Sequence, residues 1–206
     1  MHEQSETLWR NESIKKEFKD IVYDFDCLPL GILLREEEDF GIKELEPLLN
    51  LCDGLIFQGG MITRDNEIEL CKYAIEKDIP LIGICAGFNV LLQAVDGEIV
   101  DVSELGLDKS LHNVYDAAYR HEISLVNDLK EWFGSDKIAV NSFHNRFMIK
   151  ENEKVIAQAF AYNGAIQSIE AFKLKDKKFA YGIKWHPEIM EKEHLIKCFK
   201  PFFKVL

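Results

Sequence analysis

Residues 80–95 read PLIGICAGFNVLLQAV, an apolar run in which two glycines flank a cysteine, and the architecture follows from how it is interpreted. Pro80 to Cys85 has the length and unbroken apolarity of a strand buried on both faces. From Gly87 to Val95 the pattern predicts a helix, which must follow Cys85 directly. Upstream, Gly54 to Phe57 is a second short apolar run of the same kind, and Asp65 to Lys77 is a helix with Ile68, Leu70, Cys71, Ala74 and Ile75 on its inner face. Glu98 to Val102 is a weaker third strand. Strand, helix, strand, helix is the signature of a parallel sheet covered on both faces.

Further out, Ile14, Phe18, Ile21, Val22 and Phe25 recur at helical spacing and predict a helix over Ser13 to Phe25. Leu28 to Leu34 reads as extended, the acidic stretch Arg35 to Asp39 as a solvated loop or helix start, and Ile42 to Leu51 as a short amphipathic helix. The later half is strand-rich: Ile123 to Val126, Ile138 to Val140, Arg146 to Ile149, Val155 to Phe160, Ile166 to Phe172 and Phe179 to Ile183. A last helix, Glu191 to Phe202, turns Ile196 and Phe199 inward. No repeat or linker divides the chain. The expectation is one three-layer α/β domain over residues 1–206, with a mostly parallel central sheet and a β-rich later half.

Among 206 residues, 25 Lys and Arg face 36 Asp and Glu, a net charge of −11. Such a surface repels phosphate backbones and anionic lipid, which argues against nucleic-acid and membrane partners. The longest apolar stretch, Leu81 to Val95, is interrupted by Asn89 and Gln93 and is shorter than the ~20 residues that span a bilayer. The first sixteen residues are polar and lack a signal-peptide core. Five cysteines without a CxxC pattern suggest reduced thiols and a cytoplasmic chain. Cys27, Cys52, Cys71 and Cys198 read as core filler.

Four short motifs carry chemistry. In Gly83-Ile84-Cys85-Ala86-Gly87, a sharp strand-to-helix turn would thrust the central side chain above the sheet edge, at a helix N-terminus that favours a thiolate. A small cysteine packed under a glycine turn fits the same pattern. In Trp185-His186-Pro187-Glu188, residues two apart in an extended segment face one way, so Glu188 can orient the His186 imidazole. The bland alternative is a surface turn. Asp53 to Gly60 (DGLIFQGG) ends a strand in two glycines whose N–H groups could meet an oxyanion, or simply form a turn. Val140 to Asn145 (VNSFHN) groups polar side chains that could read a polar substrate head or cap one another.

In this order the four motifs resemble the class I glutamine amidotransferase-like superfamily, over about Asp53 to Glu188. NSFH tilts the likeness toward its γ-glutamyl hydrolase branch, the group that cleaves γ-glutamyl-GABA and related amides. The resemblance implies a flavodoxin-like three-layer fold with Cys85 as nucleophile, His186 as general base and acid, and Glu188 as the orienting carboxylate. It implies an oxyanion hole from the N–H groups of Gly60 and Ala86, and a substrate site lined by Gly59, Asn89, Asn141, Ser142, Phe143 and His144. His121 matches a structural strand-start position. The implied activity is hydrolysis of a small γ-glutamyl amide through a γ-glutamyl thioester, with no metal or organic cofactor. A homodimer is the family-level expectation.

The chain departs from the family at several places. Gln58 stands where Pro often precedes the two glycines, Ala86 where hydrolases frequently have Arg, and Asn89 where many relatives have Gln. No strand precedes Ser13, so the first family strand is expected to be absent. Two other readings compete with the hydrolase: a glutaminase subunit passing ammonia to a synthase partner, and a catalytically idle binding protein on the same fold. Within the hydrolase branch the leaving amine could derive from a polyamine, a polyglutamate or a nucleotide phosphoramidate. For a nucleotide, Arg146 and Lys184 are the candidate contacts.

Overall fold

Short apolar runs bounded by turn residues suit strands buried on both faces, and helices then cover both faces of the sheet they form. The computed structural model describes residues 13–34, 41–60, 63–107 and 119–206. The helices are α1 (Lys16–Asp24), α2 (Glu46–Leu49), α3 (Asp65–Glu76), α4 (Ala86–Ala94), α5 (Asn127–Phe133) and α6 (Lys192–Val205). The strands are β1 (Leu55–Phe57), β2 (Leu81–Ile84), β3 (Val100–Asp101), β4 (His121–Leu125), β5 (Lys137–Val140), β6 (Arg146–Phe147), β7 (Val155–Asn163), β8 (Ile166–Leu174) and β9 (Ala180–Ile183).

Seven strands form one sheet in the order β1-β2-β9-β8-β7-β4-β5. Pairing is parallel through β1, β2 and β9 and antiparallel from β9 to β5. The parallel part carries three of the four motifs. Alternation along β2 and β9 builds a core on each face. Leu81 and Ala180 pack with Leu70, Cys71 and Ala74 of α3 and Phe88, Leu91 and Leu92 of α4. Ile82, Ile84, Tyr181 and Ile183 pack with Phe18 and Ile21 of α1, Leu129 and Phe133 of α5, and Cys198, Phe199 and Phe202 of α6. The three-layer α/β expectation is thus met, with the β-rich later half.

Several elements differ from the expectation. Glu98 to Val102 does not join the parallel sheet: Val100–Asp101 pairs antiparallel with β6 in a separate two-stranded sheet. The place beside β2 is taken instead by β9, which arrives from the end of the chain in register Leu81↔Ala180 to Ile84↔Ile183. The expected helix over Ile42 to Leu51 is a 3-10 turn, Ile42–Glu44, followed by the four-residue α2. Pro47 near its start has no N–H to continue the earlier turn. Helix α5 was not expected; at seven residues it is too short to show periodicity, and Gly134 ends it in the left-handed region at φ 64°. Residues 28–34 form no strand, so among the described residues β1 is the sheet edge. The acidic stretch 35–39 lies outside the described residues.

At the decisive turn, Cys85 has φ 53° and ψ −97° and α4 begins at the next residue. A side chain added at Gly87 would fall on the Phe57 carbonyl oxygen of β1, so α4 can lie this close to the sheet only with glycine there. Gly87→Ala is expected to lose about 1–3 kcal/mol of stability. Gly41→Ala, where nothing lies within 4 Å of the added carbon, should stay within about 0.5 kcal/mol. Urea denaturation of both variants checks this; equal midpoints would contradict the close-packing argument.

Candidate active site

In a parallel sheet, ligands meet the carboxyl ends of the strands. Three neighbouring strands deliver motifs there. Phe57 pairs with Gly83 and Gly83 with Gly182, so Gly60, Ala86 and Trp185-His186 all lie about three residues beyond paired positions at that edge. Gly60 is exposed after β1, Ala86 opens α4, and His186 follows β9. The first-turn N–H groups of α4 have no partners within the helix and point toward this edge.

Cys85 is 7% exposed, and the His186 imidazole stands near enough to interact with its thiol. His186 Nδ1 stands 2.6 Å from Glu188 Oε1. With Nδ1 on the carboxylate, Nε2 is left for the thiol. Burial pushes the Cys85 thiol up, but the hydrogen bond and charge of His186, with the nearby Lys184, outweigh it and bring the thiol below its ordinary 9.0. Burial opposes charge on His186 too, yet its bonds to Cys85 and Glu188 raise it to about 9. Both shifts favour a thiolate–imidazolium pair over the neutral pair.

The route by which Glu188 reaches His186 is not the expected one. Pro187–Ile189 is a 3-10 turn with His186 at its N-cap, so the carboxylate folds back on the ring instead of alternating along a strand. Proline at the first position of the turn fixes φ for that geometry. Trp185 is fully buried behind this turn and donates its indole N–H to His194 Nε2 at 3.0 Å.

Asn141 grips the peptide of His186. Its Nδ2 donates to the His186 carbonyl and its Oδ1 accepts from the His186 N–H, both at 2.9 Å. Both ends of this fully buried amide are thereby taken. A carbon added at Gly59 would lie 2.5 Å from His186 Cε1, so the absence of a side chain is what lets the imidazole stand there. Phe143 sets its ring edge-on to the imidazole at 5.6 Å. Ser142 is buried next to it.

Gln58 has a structural use. Its side chain accepts from the Lys15 N–H at 3.0 Å and donates to the Ser13 carbonyl at 2.8 Å, fastening the start of α1 to the end of β1. That brings Lys15 Nζ to 3.9 Å from Glu188 Oε1. Lys15 is a residue that sequence reasoning missed, because 173 positions separate it from Glu188 and no motif marks it.

Below the thiol lies a buried polar layer. Lys184 donates to Asn89 Oδ1 at 2.6 Å, Ser168 Oγ to Glu170 Oε1 at 3.1 Å, and His144 Nε2 is 3.6 Å from Glu170 Oε2. The His144 and His121 rings are 6.4 Å apart. Burial opposes ionisation of Glu170, but His144, His121 and Lys184 hold its carboxyl down to about 2. Burial pushes His144 below its ordinary range. Lys184 is 1% exposed and so does not offer its charge to a nucleotide at the surface; Arg146 is exposed. Glu170 was also missed, though a carboxylate inside the apolar strand SIEAF is a readable signal.

Among the described residues, no three His, Cys, Asp or Glu side chains gather to hold a metal ion, and no helix is long and apolar enough to cross a membrane. A cleft of about 320 Å³ is lined by Ile75, Val95, Glu153, Lys154 and Leu174, among others, and no thiol or imidazole lines it.

Residues 61–188, well over half of the chain, match the family described as Peptidase C26. The CTP synthase of Lactiplantibacillus plantarum is 24% identical over 79% of this chain, which spans 36% of that protein's length. A glutamine-hydrolyzing GMP synthase subunit of Archaeoglobus fulgidus is 28% identical over 74% of this chain and 75% of its own. The glutaminase domain of Trypanosoma brucei CTPS, solved with acivicin bound, superposes with a TM-score of 0.65 over 90% of this chain and 86% of that one. At 14% identity that likeness is one of fold. Sequence match and architecture agree: the chain belongs to the Peptidase C26 family, in the class I glutamine amidotransferase-like superfamily.

Proposed function

We propose that the chain is the glutaminase part of an amidotransferase: it hydrolyses the side-chain amide of glutamine on Cys85 and passes ammonia to a synthase partner. The observation that carries this reading is the thiol, imidazole and carboxylate gathered at the strand-to-helix turn, with His186 bonded to Glu188 and interacting with the Cys85 thiol. The relatives favour glutamine as the amide, since glutamine hydrolysis is what the names of the trypanosomal domain and the Archaeoglobus protein state.

The Cys85 thiolate attacks the γ-carbonyl carbon, and the N–H groups of Gly60 and Ala86 hold the oxygen that gains charge. Losing one such donor typically costs about 3 kcal/mol in the transition state. The C–N bond breaks as His186 gives its proton to the leaving nitrogen, and a γ-glutamyl thioester remains. His186 then takes a proton from water, the hydroxide attacks the thioester, and the C–S bond breaks to release glutamate and the thiolate. Asn141 and Gly59 hold the imidazole where both transfers need it.

A second reading, a free-standing hydrolase of a γ-glutamyl amide with a larger amine, is favoured by the Asn141 to His144 stretch. This stretch lies against His186 through Phe143, and its NSFH motif resembles the hydrolase branch. Glutamate release by the purified chain separates the two. Glutamine turnover is expected, whereas turnover of larger γ-glutamyl amides with glutamine ignored would support the second reading. Cys85→Ala should lower either activity by at least about three orders of magnitude; unchanged activity would overturn both.

The pH dependence has a definite sign. Activity rises with pH as Cys85 loses its proton, below the ordinary thiol value of 9.0. It falls again as His186 loses the proton it must donate, near pH 9. A kcat/KM profile still climbing well past that pH would contradict the imidazolium role. Gly59→Ala is expected to remain folded but to lose at least about tenfold in kcat, because the added carbon displaces the imidazole. Steady-state kinetics with circular dichroism of the variant checks this.

A further inference from the structure

Lys184 is a charged side chain where charge is disfavoured, 1% exposed between β9 and His186. A buried ammonium persists only with partners. Its Nζ donates to Asn89 Oδ1 at 2.6 Å and lies 4.8 Å from the centre of the Phe88 ring. Its backbone N–H donates to the Glu170 carbonyl at 2.8 Å, fixing the residue across β8. Phe88 and Asn89 lie in the first turn of α4, and the Asn89 N–H bonds back to the Cys85 carbonyl at 3.3 Å. The lysine is thus tied to the same helix start that holds the sulfur.

We propose that Lys184 is a positioning residue of this site: its buried ammonium locks the Asn89 carboxamide and sets a fixed positive charge at the helix start that carries the Cys85 sulfur. An ammonium has three donors and no acceptor, so the Asn89 oxygen must face Lys184 and the N–H2 must face away. Asn89 then offers its N–H2 as donor, and a substrate group that meets that end is an acceptor such as a carboxylate or carbonyl oxygen. This part of the inference rests on the hydrolytic reading; the charge part does not.

The titratable and charged groups of the site and of the polar layer around Lys184 can be named by element. His186 and Glu188 come from the turn after β9, Lys184 from the end of β9, Glu170 from β8 and His121 from β4. His144 comes from the segment after β5, Arg146 from β6, and Lys15 precedes α1. Lys184 and His186 favour the thiolate and Glu188 opposes it. Burial pulls Lys184 down to about 8, with Cys85 and Glu170 resisting, so the ammonium is the main form at neutral pH.

The test reads Cys85 without any substrate. Iodoacetamide alkylation of Cys85, followed by peptide mass spectrometry from about pH 5 to about pH 10, gives the midpoint of thiolate formation. In Lys184→Met and in Lys184→Gln, which keeps a donor for Asn89, the midpoint should rise by about one pH unit while thermal unfolding stays cooperative. An unchanged midpoint in a folded variant overturns the proposal. Should neither variant fold, the coupling is read in the wild-type protein from the other side, since linkage is reciprocal. Capping Cys85 with iodoacetamide should then lower the titration midpoint of Lys184 measured by NMR, and an unmoved midpoint overturns the proposal. A shifted Cys85 midpoint in a protein that hydrolyses no γ-amide would leave this inference standing and remove the functional one.

Discussion

A cysteine held at φ 53° and ψ −97° sets the position of every other group in the site. That backbone region is disfavoured for any residue with a side chain, typically by about 1–3 kcal/mol, and persists only when its surroundings over-determine it. Here β2 fixes the residues before Cys85 between β1 and β9, and α4 fixes those after it through close contact at Gly87. The chain is forced to turn in one residue, and the sulfur is left at the sheet rim, at the start of a helix.

The second half of the site comes from the far end of the chain, and sheet topology makes the meeting unavoidable. Because β9 pairs with β2 in parallel, the residues after Ile183 emerge beside those after Ile84. The imidazole is then held from three directions. Glu188 fixes its Nδ1, Asn141 clamps its peptide, and Gly59 clears space for its Cε1 edge. Such redundancy suits a group that must give and take a proton without moving far.

Motifs in which one local pattern carries the meaning were legible in the sequence. GICAG announced the strand-to-helix turn, and WHPE announced an imidazole with its carboxylate, although the carboxylate arrives through a 3-10 turn and not along an extended strand. The parallel core was legible because Leu55 to Phe57 and Leu81 to Ile84 are apolar on both faces. What could not be read was long-range pairing. Nothing local says that β9 takes the place beside β2, that Glu98 to Val102 pairs with β6 instead, or that Asn141 spends its amide on the backbone of a residue 45 positions away. Lys184 illustrates the same limit: beside a catalytic motif it reads as a surface cation, and only the packing of β9 under α4 shows it buried.

All of this chemistry requires that the Cys85 sulfur become acylated during turnover, and acid quenching followed by peptide mass spectrometry detects that step. Rapid quenching with glutamine present should reveal a γ-glutamyl adduct on the peptide containing Cys85, lost again on treatment with hydroxylamine. Glutamate release at full rate with that peptide unmodified at every quench time, or with the adduct on another residue, would contradict the proposed mechanism.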